Sequence, residues 1–171
     1  MRIPFATVFF PTLALAAVVA THALSDVDVR FVEGAPKDRF EVTNSGACAL
    51  TASTVALDLS TSQAGLIFDV TGAGAGVEVF QPFEITAGKE ALKRIPVVTD
   101  GQDKLLLEIE TLEPGAMVSF TIDVDDTIGQ REITVSGSEI EGASVHLQQA
   151  DAKTIATFTP SATARIETAG C

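Results

Sequence analysis

The stretch Val118-Ser119-Phe120-Thr121-Ile122-Asp123-Val124-Asp125-Asp126 decides the fold. Apolar side chains at 118, 120, 122 and 124 alternate with polar ones, and successive side chains of an extended chain point to opposite faces. The segment therefore reads as a strand with Val118, Phe120, Ile122 and Val124 inward. Thr121, Asp123 and Asp125 share the wet face. A tight turn leads into it through Leu112-Glu113-Pro114-Gly115-Ala116-Met117. Proline at the first corner and glycine at the second suit a type II turn, whose second corner needs positive φ.

The same period of two recurs outward from this strand. Val27, Val29 and Phe31 alternate with Asp28 and Arg30, and Phe40 and Val42 flank Glu41. Val55, Leu57 and Leu59 face away from Ala56 and Asp58, and Ile133 and Val135 repeat the pattern. Turn formers punctuate these runs at Gly34-Ala35-Pro36, Asn44-Ser45-Gly46, Gly72 to Gly76, Asp100-Gly101, Pro114-Gly115 and Gly129. Short, regularly interrupted strands predict an all-β, antiparallel β-sandwich of the Ig-like or fibronectin III-like kind. Segment 146–155 is the most helix-like by composition, and it is read as a turn between two late strands. No helical period of 3.6 stands out beyond the N-terminus.

That N-terminus has its own logic. Met1 and Arg2 give a positive start, an apolar run follows to Ala20, and small residues at Ala20 and Ala23 precede the first acids, Asp26 and Asp28. This order predicts a secretory signal peptide over 1–23, cleaved after Ala20 or Ala23. The alternative, a retained membrane helix, is less favoured. Pro4 and Pro11 interrupt a run that only borders on the ~20 residues a span requires, and no cationic stop follows. The expected product is secreted or periplasmic, with cell-surface placement open and no membrane span after cleavage. It comprises one domain over 24–158 and a tail over 159–171 rich in Thr, Ser and Ala.

Charge and cysteine content narrow the partners. Twenty-three acidic side chains against 11 basic ones give a formal charge of −12, which repels nucleic acid and anionic lipid. Divalent cations, cationic partners or plain solubility suit it instead. Cys48 and Cys171 are the two cysteines, and an oxidising compartment predicts a bridge between them. Such a closure contributes on the order of 4 kcal/mol by loop entropy. A free or intermolecular thiol at the tail is the competing reading.

Few residues offer catalysis. Past the leader there is one histidine, His146, without a Gly-x-Ser-x-Gly elbow, and the chain has no Tyr or Trp. A carboxylate-based glycan hydrolase would need two acids at a fixed gap, and it lacks the stacking aromatics such sites bring. A non-enzymatic role is expected. The strongest chemical feature is Asp123, Asp125 and Asp126, joined by Glu132 if a strand returns from Gly129 and pairs as a hairpin. Carboxylates gathered in this way repel one another unless protons or a cation intervene. Calcium accepts six to eight hard oxygens with loose geometry, so Ca²⁺ is the expected guest. The alternative is a row of acids facing water. The glycines of Gly72-Ala73-Gly74-Ala75-Gly76 precede a strand-like Val77-Glu78-Val79-Phe80 and not a helix, which disfavours a nucleotide loop. Asp69 and Glu78 flank this loop and stand near enough in sequence to assist a cation.

Three strings resemble the aggregation factor core proteins, a family named after the core protein of the sponge aggregation factor and found also in marine bacteria. They are Phe31 to Phe40 (FVEGAPKDRF), Asp69 to Glu84 (DVTGAGAGVEVFQPFE) and Phe120 to Ile140 (FTIDVDDTIGQREITVSGSEI). The resemblance covers roughly residues 26 to 146. It implies calcium-dependent, carbohydrate-assisted adhesion, with protein or carbohydrate of the cell surface or matrix as partners. The chain departs from that setting in having no tandem repeats and no N-glycosylation sequon, since its one asparagine begins Asn44-Ser45-Gly46. A structural surface module without metal is the alternative.

Overall fold

The structure, a computed structural model, describes residues 26–74, 80–128 and 134–168. The expected leader (1–23), Glu132 and Cys171 all lie outside these residues, so the expected signal peptide and the far end of the expected Cys48–Cys171 bridge do too.

Among the described residues ten strands follow in chain order: β1 (Val27–Val32), β2 (Asp38–Asn44), β3 (Leu50–Asp58), β4 (Ile67–Asp69), β5 (Glu84–Ala87), β6 (Lys104–Leu112), β7 (Met117–Asp125), β8 (Ser144–Gln149), β9 (Ala152–Thr157) and β10 (Thr163–Ile166). The helical content of the described residues is a single 3₁₀ turn, Lys89–Ala91. One sheet runs β10-β1-β2-β7-β4, with β5 also paired to β7; the other runs β6-β3-β8-β9. All pairings are antiparallel. The two sheets close on each other as a sandwich, as the alternating pattern predicts.

The core follows from that pattern. Phe31, Phe40 and Phe120 stand opposite one another across β1, β2 and β7, and their rings meet at 5.1 and 5.3 Å between centroids. Phe68 packs edge-on against Phe40 at 6.3 Å. From the other sheet Val55, Leu57, Leu105, Leu107, Val145 and Leu147 bury their side chains against this layer. Truncating a fully buried aromatic such as Phe40 to alanine costs about 3–5 kcal/mol.

The turn before β7 forms as its residues require. Gly115 takes φ 76°, and the Ala116 N–H donates to the Glu113 carbonyl at 2.9 Å. Segment 146–155 holds the expected turn between two late strands, but a narrower one. It is mostly strand: β8 and β9 form a hairpin whose connection is only Ala150 and Asp151, with Ala150 at φ 45°. Helix-forming composition loses there to the period-two burial of Val145 and Leu147 and to the pairing of β8 with β3.

Candidate metal centre

β7 is flanked by β2 on one side and by β4 and β5 on the other. Asp123 stands directly opposite Asp69, and Asp125 opposite Ile67. Side chains two apart on a strand share a face, so Asp123 and Asp125 point the same way and Asp69 joins them from β4. The result is three carboxylates, each with a ligand oxygen, all within 4.8 Å of one another.

This arrangement corrects one expectation. Asp123 and Asp125 do not lie on a wet face: their exposures are 5% and 2%, and Asp69 is at 1%. Among the described residues the strand facing them is β4, and residues 134–143 form turns and bends; the strand expected to return from Gly129 with Glu132 lies outside those residues. The physical reason is that β7 is a central strand, buried on both faces along most of its length. Near its end the chain folds back, with the Thr127 and Ile128 N–H groups donating to the Ala64 carbonyl at 3.1 Å each. The Thr127 hydroxyl also donates to the Gly65 carbonyl at 2.7 Å. Asp126 is buried as well, at 4%, but its carboxylate is not one of the three that converge.

Asp38 is a fourth acid that sequence reasoning passed over. It opens β2 on the same face as Phe40 and Val42, opposite Ile122, and its Oδ1 accepts the Gly34 N–H at 3.0 Å. An aspartate in phase with buried apolar residues was the signal available for it.

Electrostatics make the cluster costly as it stands. Like charges directly opposite each other across a strand pair repel, and burial strengthens the repulsion. Burial pushes the Asp69 carboxyl up to about 7, with Asp100 and Asp125 adding to the rise. Asp123 is likewise raised by burial to about 7, helped by Asp125, Asp38 and Asp69. Asp38 also reaches about 7 by burial, although the Gly34 and Val124 amides oppose the shift. Even so, Asp69 Oδ2 and Asp123 Oδ2 are buried oxygens without a hydrogen-bond partner. A buried polar atom left unpaired costs about 1–3 kcal/mol, more when charged, a cost that a proton, a water or a cation there would relieve.

The glycine-rich loop after β4 holds the next carboxylate. Asp100 Oδ1 accepts the N–H groups of Val70 at 2.8 Å and Thr71 at 2.9 Å. These amides, Val70 foremost, hold the Asp100 carboxyl below its usual range. A Cβ on Gly74 would sit 1.3 Å from Asp100 Oδ2, so only glycine permits the approach. The neighbouring acids thus divide: Asp100 keeps its charge through backbone donors, while Asp69 is raised. Glu78 lies outside the described residues.

No family model, curated protein or solved structure matches the chain.

Proposed function

We propose that this chain is an exported, non-enzymatic binding module whose Asp69, Asp123 and Asp125 together take a calcium ion. The observation that carries the reading is the pair of buried, unpartnered oxygens, Asp69 Oδ2 and Asp123 Oδ2, inside a three-carboxylate group. Oxygens on opposite sides of a calcium ion, with bonds of about 2.4 Å, stand about 4.8 Å apart, and the group falls within that reach. Magnesium would draw the same oxygens closer and demand stricter octahedral geometry. Three carboxylates supply several of the six to eight oxygens calcium uses, and backbone carbonyls or water complete such shells.

Asp38, Asp69, Asp123 and Asp125 are distributed over the three strings that resemble aggregation factor core proteins, at least one acid to each. This supports a calcium-dependent adhesive role at the cell surface or matrix. The burial of the acids supports a structural cation site over a hydrolytic one, because glycoside cleavage needs its two carboxyls flanking an open sugar cleft.

A second reading is that protons alone fill the cluster, which the raised carboxyls favour. In that case the domain is a structural module without metal. Calorimetric titration of Ca²⁺ into the purified protein at pH 7.5 separates the two. A one-to-one binding isotherm that Asp69→Asn abolishes is the expected result; no heat and no change in melting temperature at millimolar Ca²⁺ leaves the protons-only module.

A further inference from the structure

The outer face of the second sheet carries three straight cross-strand rows. The central row is Leu106, Ala56, His146 and Ile155, in register across β6, β3, β8 and β9. On one side lie Lys104, Asp58, Ser144 and Thr157, and on the other Glu108, Thr54, Gln148 and Lys153. Leu106 and Ile155, at the two ends of the central row, are each 55% exposed. Beside Leu106 the chain adds Ile95 and Val97, the latter 90% exposed, around a groove of about 420 Å³. Apolar side chains spread over one sheet face and its flank call for a partner more than isolated ones do.

The charges say which partner. The whole chain carries −12, so two copies repel over most of their surfaces. On this face Lys104 and Lys153 balance Asp58 and Glu108. Lys104 is paired with Asp58 at 3.1 Å, and Glu108 with Arg94. Lys153 has no ion pair among the described residues.

We propose that this face docks onto the same face of a second copy, about a two-fold axis parallel to the strands between β3 and β8. That axis lays β6 over β9 of the second copy and β3 over its β8. Each exposed end then meets its complement. Ile155 of one copy enters the groove beside Leu106 of the other, His146 stands over the small Ala56, and Lys153 faces Glu108. An axis running along the central row would instead set His146 on His146 and leave Ala56 against Ala56, a poorer fit. Four strands ~4.8 Å apart and three rows ~6.8 Å apart cover roughly 400 Å² in plan. The flank at Ile95 and Val97 extends this toward the ~600 Å² per partner of weak, transient complexes. The dimer is therefore concentration-dependent. It does not involve the buried carboxylates, which lie on the other sheet.

Sedimentation equilibrium of the purified protein from 5 µM to about 1 mM, in Ca²⁺ and again in EDTA, tests this. The expected result is a monomer–dimer equilibrium in the micromolar to sub-millimolar range under both conditions. Leu106→Lys alone and Ile155→Glu alone each weaken association at least tenfold. An equimolar mixture of the two variants recovers the dimer, because Lys at 106 then faces Glu at 155. A chain that stays monomeric to 1 mM overturns the proposal. So does a dimer that both single variants leave intact, or a mixture no more associated than its components. Recovery when Leu106→Lys is mixed with Leu106→Glu in place of Ile155→Glu overturns the axis, since it would pair residue 106 with itself.

Discussion

Asp69 and Asp123 face each other across β4 and β7, each nearly inaccessible to solvent and each with one buried carboxylate oxygen that has no hydrogen-bond partner among the described residues. Two acids cannot both be charged in that relationship without help. The folded state must therefore hold protons or a cation there, and stability becomes a function of both.

The first prediction concerns pH. Asp38, Asp69 and Asp123 are each raised to about 7 by burial, so the folded chain binds more protons than the unfolded one between about pH 4 and 7. Stability in the absence of cations must then fall as pH rises through that window and level off above it. Melting curves in EDTA at pH 4.5, 6, 7 and 8.5 are expected to show the melting temperature dropping steadily to pH 7–8. Calcium at millimolar concentration is expected to remove most of that drop by taking the place of the protons. A flat profile in EDTA counts against the buried, charged cluster.

The second prediction separates the acids. Asp69→Asn or Asp123→Asn removes a buried charge, so at pH 8 in EDTA each variant is expected to melt several degrees above the parent, a gain of roughly 1–2 kcal/mol. Each is also expected to lose the stabilisation by calcium. Asp126→Asn, whose carboxylate stands outside the converging three, is expected to keep the calcium response. Differential scanning fluorimetry with and without Ca²⁺ reads both effects.

How far the sequence led to this site depends on which residues one follows. Alternation at Val118, Phe120, Ile122 and Val124 was enough to orient β7, because its apolar side chains still fill one face of the strand although the other face is buried as well. The same rule misled at Asp123 and Asp125. It assumes that the face opposite the apolar one is wet, and a central strand capped by folded-back loops has no wet face there. Asp69 was visible only as a residue beside a glycine run, since its register with Asp123 joins distant parts of the chain and local pattern carries no such information. Asp38 was legible in principle, as an acid in phase with Phe40 and Val42. The turn between β8 and β9 was legible, but the reach of the two strands into it was obscured because Leu147, Gln148, Gln149 and Ala150 favour helix as isolated residues. Pairing with β3 decides otherwise.

The third prediction tests the loop that grips Asp100. Gly74→Ala places a methyl group on Asp100 Oδ2, so the loop or the carboxylate must move away. The Val70 and Thr71 amides then lose their acceptor, at a cost of about 1–3 kcal/mol. Asp100→Asn keeps the shape and weakens only the charge-assisted part of those bonds, so it is expected to cost less than Gly74→Ala. Urea denaturation of the two variants at pH 7 gives the comparison; equal costs would mean that the close approach at Gly74 carries no weight.

The last prediction concerns the other end of the sandwich, where Asn44 ties two turns together. Its side chain is fully buried, and Nδ2 donates to the carbonyls of Cys48 and Leu112, both at 2.8 Å. Its Oδ1 accepts the Gly46 N–H at 3.1 Å, and its backbone carbonyl accepts the Gly115 N–H at 2.7 Å. One side chain thus satisfies three backbone groups from the β2–β3 connection and the end of β6. Asn44→Ala leaves those groups unpaired away from water, so it is expected to destabilise by roughly 2–4 kcal/mol. Asn44→Asp restores an acceptor for Gly46 but offers no amide donor to the two carbonyls, and a buried charge adds its own cost. It should therefore destabilise at least as much as alanine at pH 7. Chemical denaturation of both variants decides it, and an Asn44→Asp protein as stable as the parent would show that the two carbonyls find other donors.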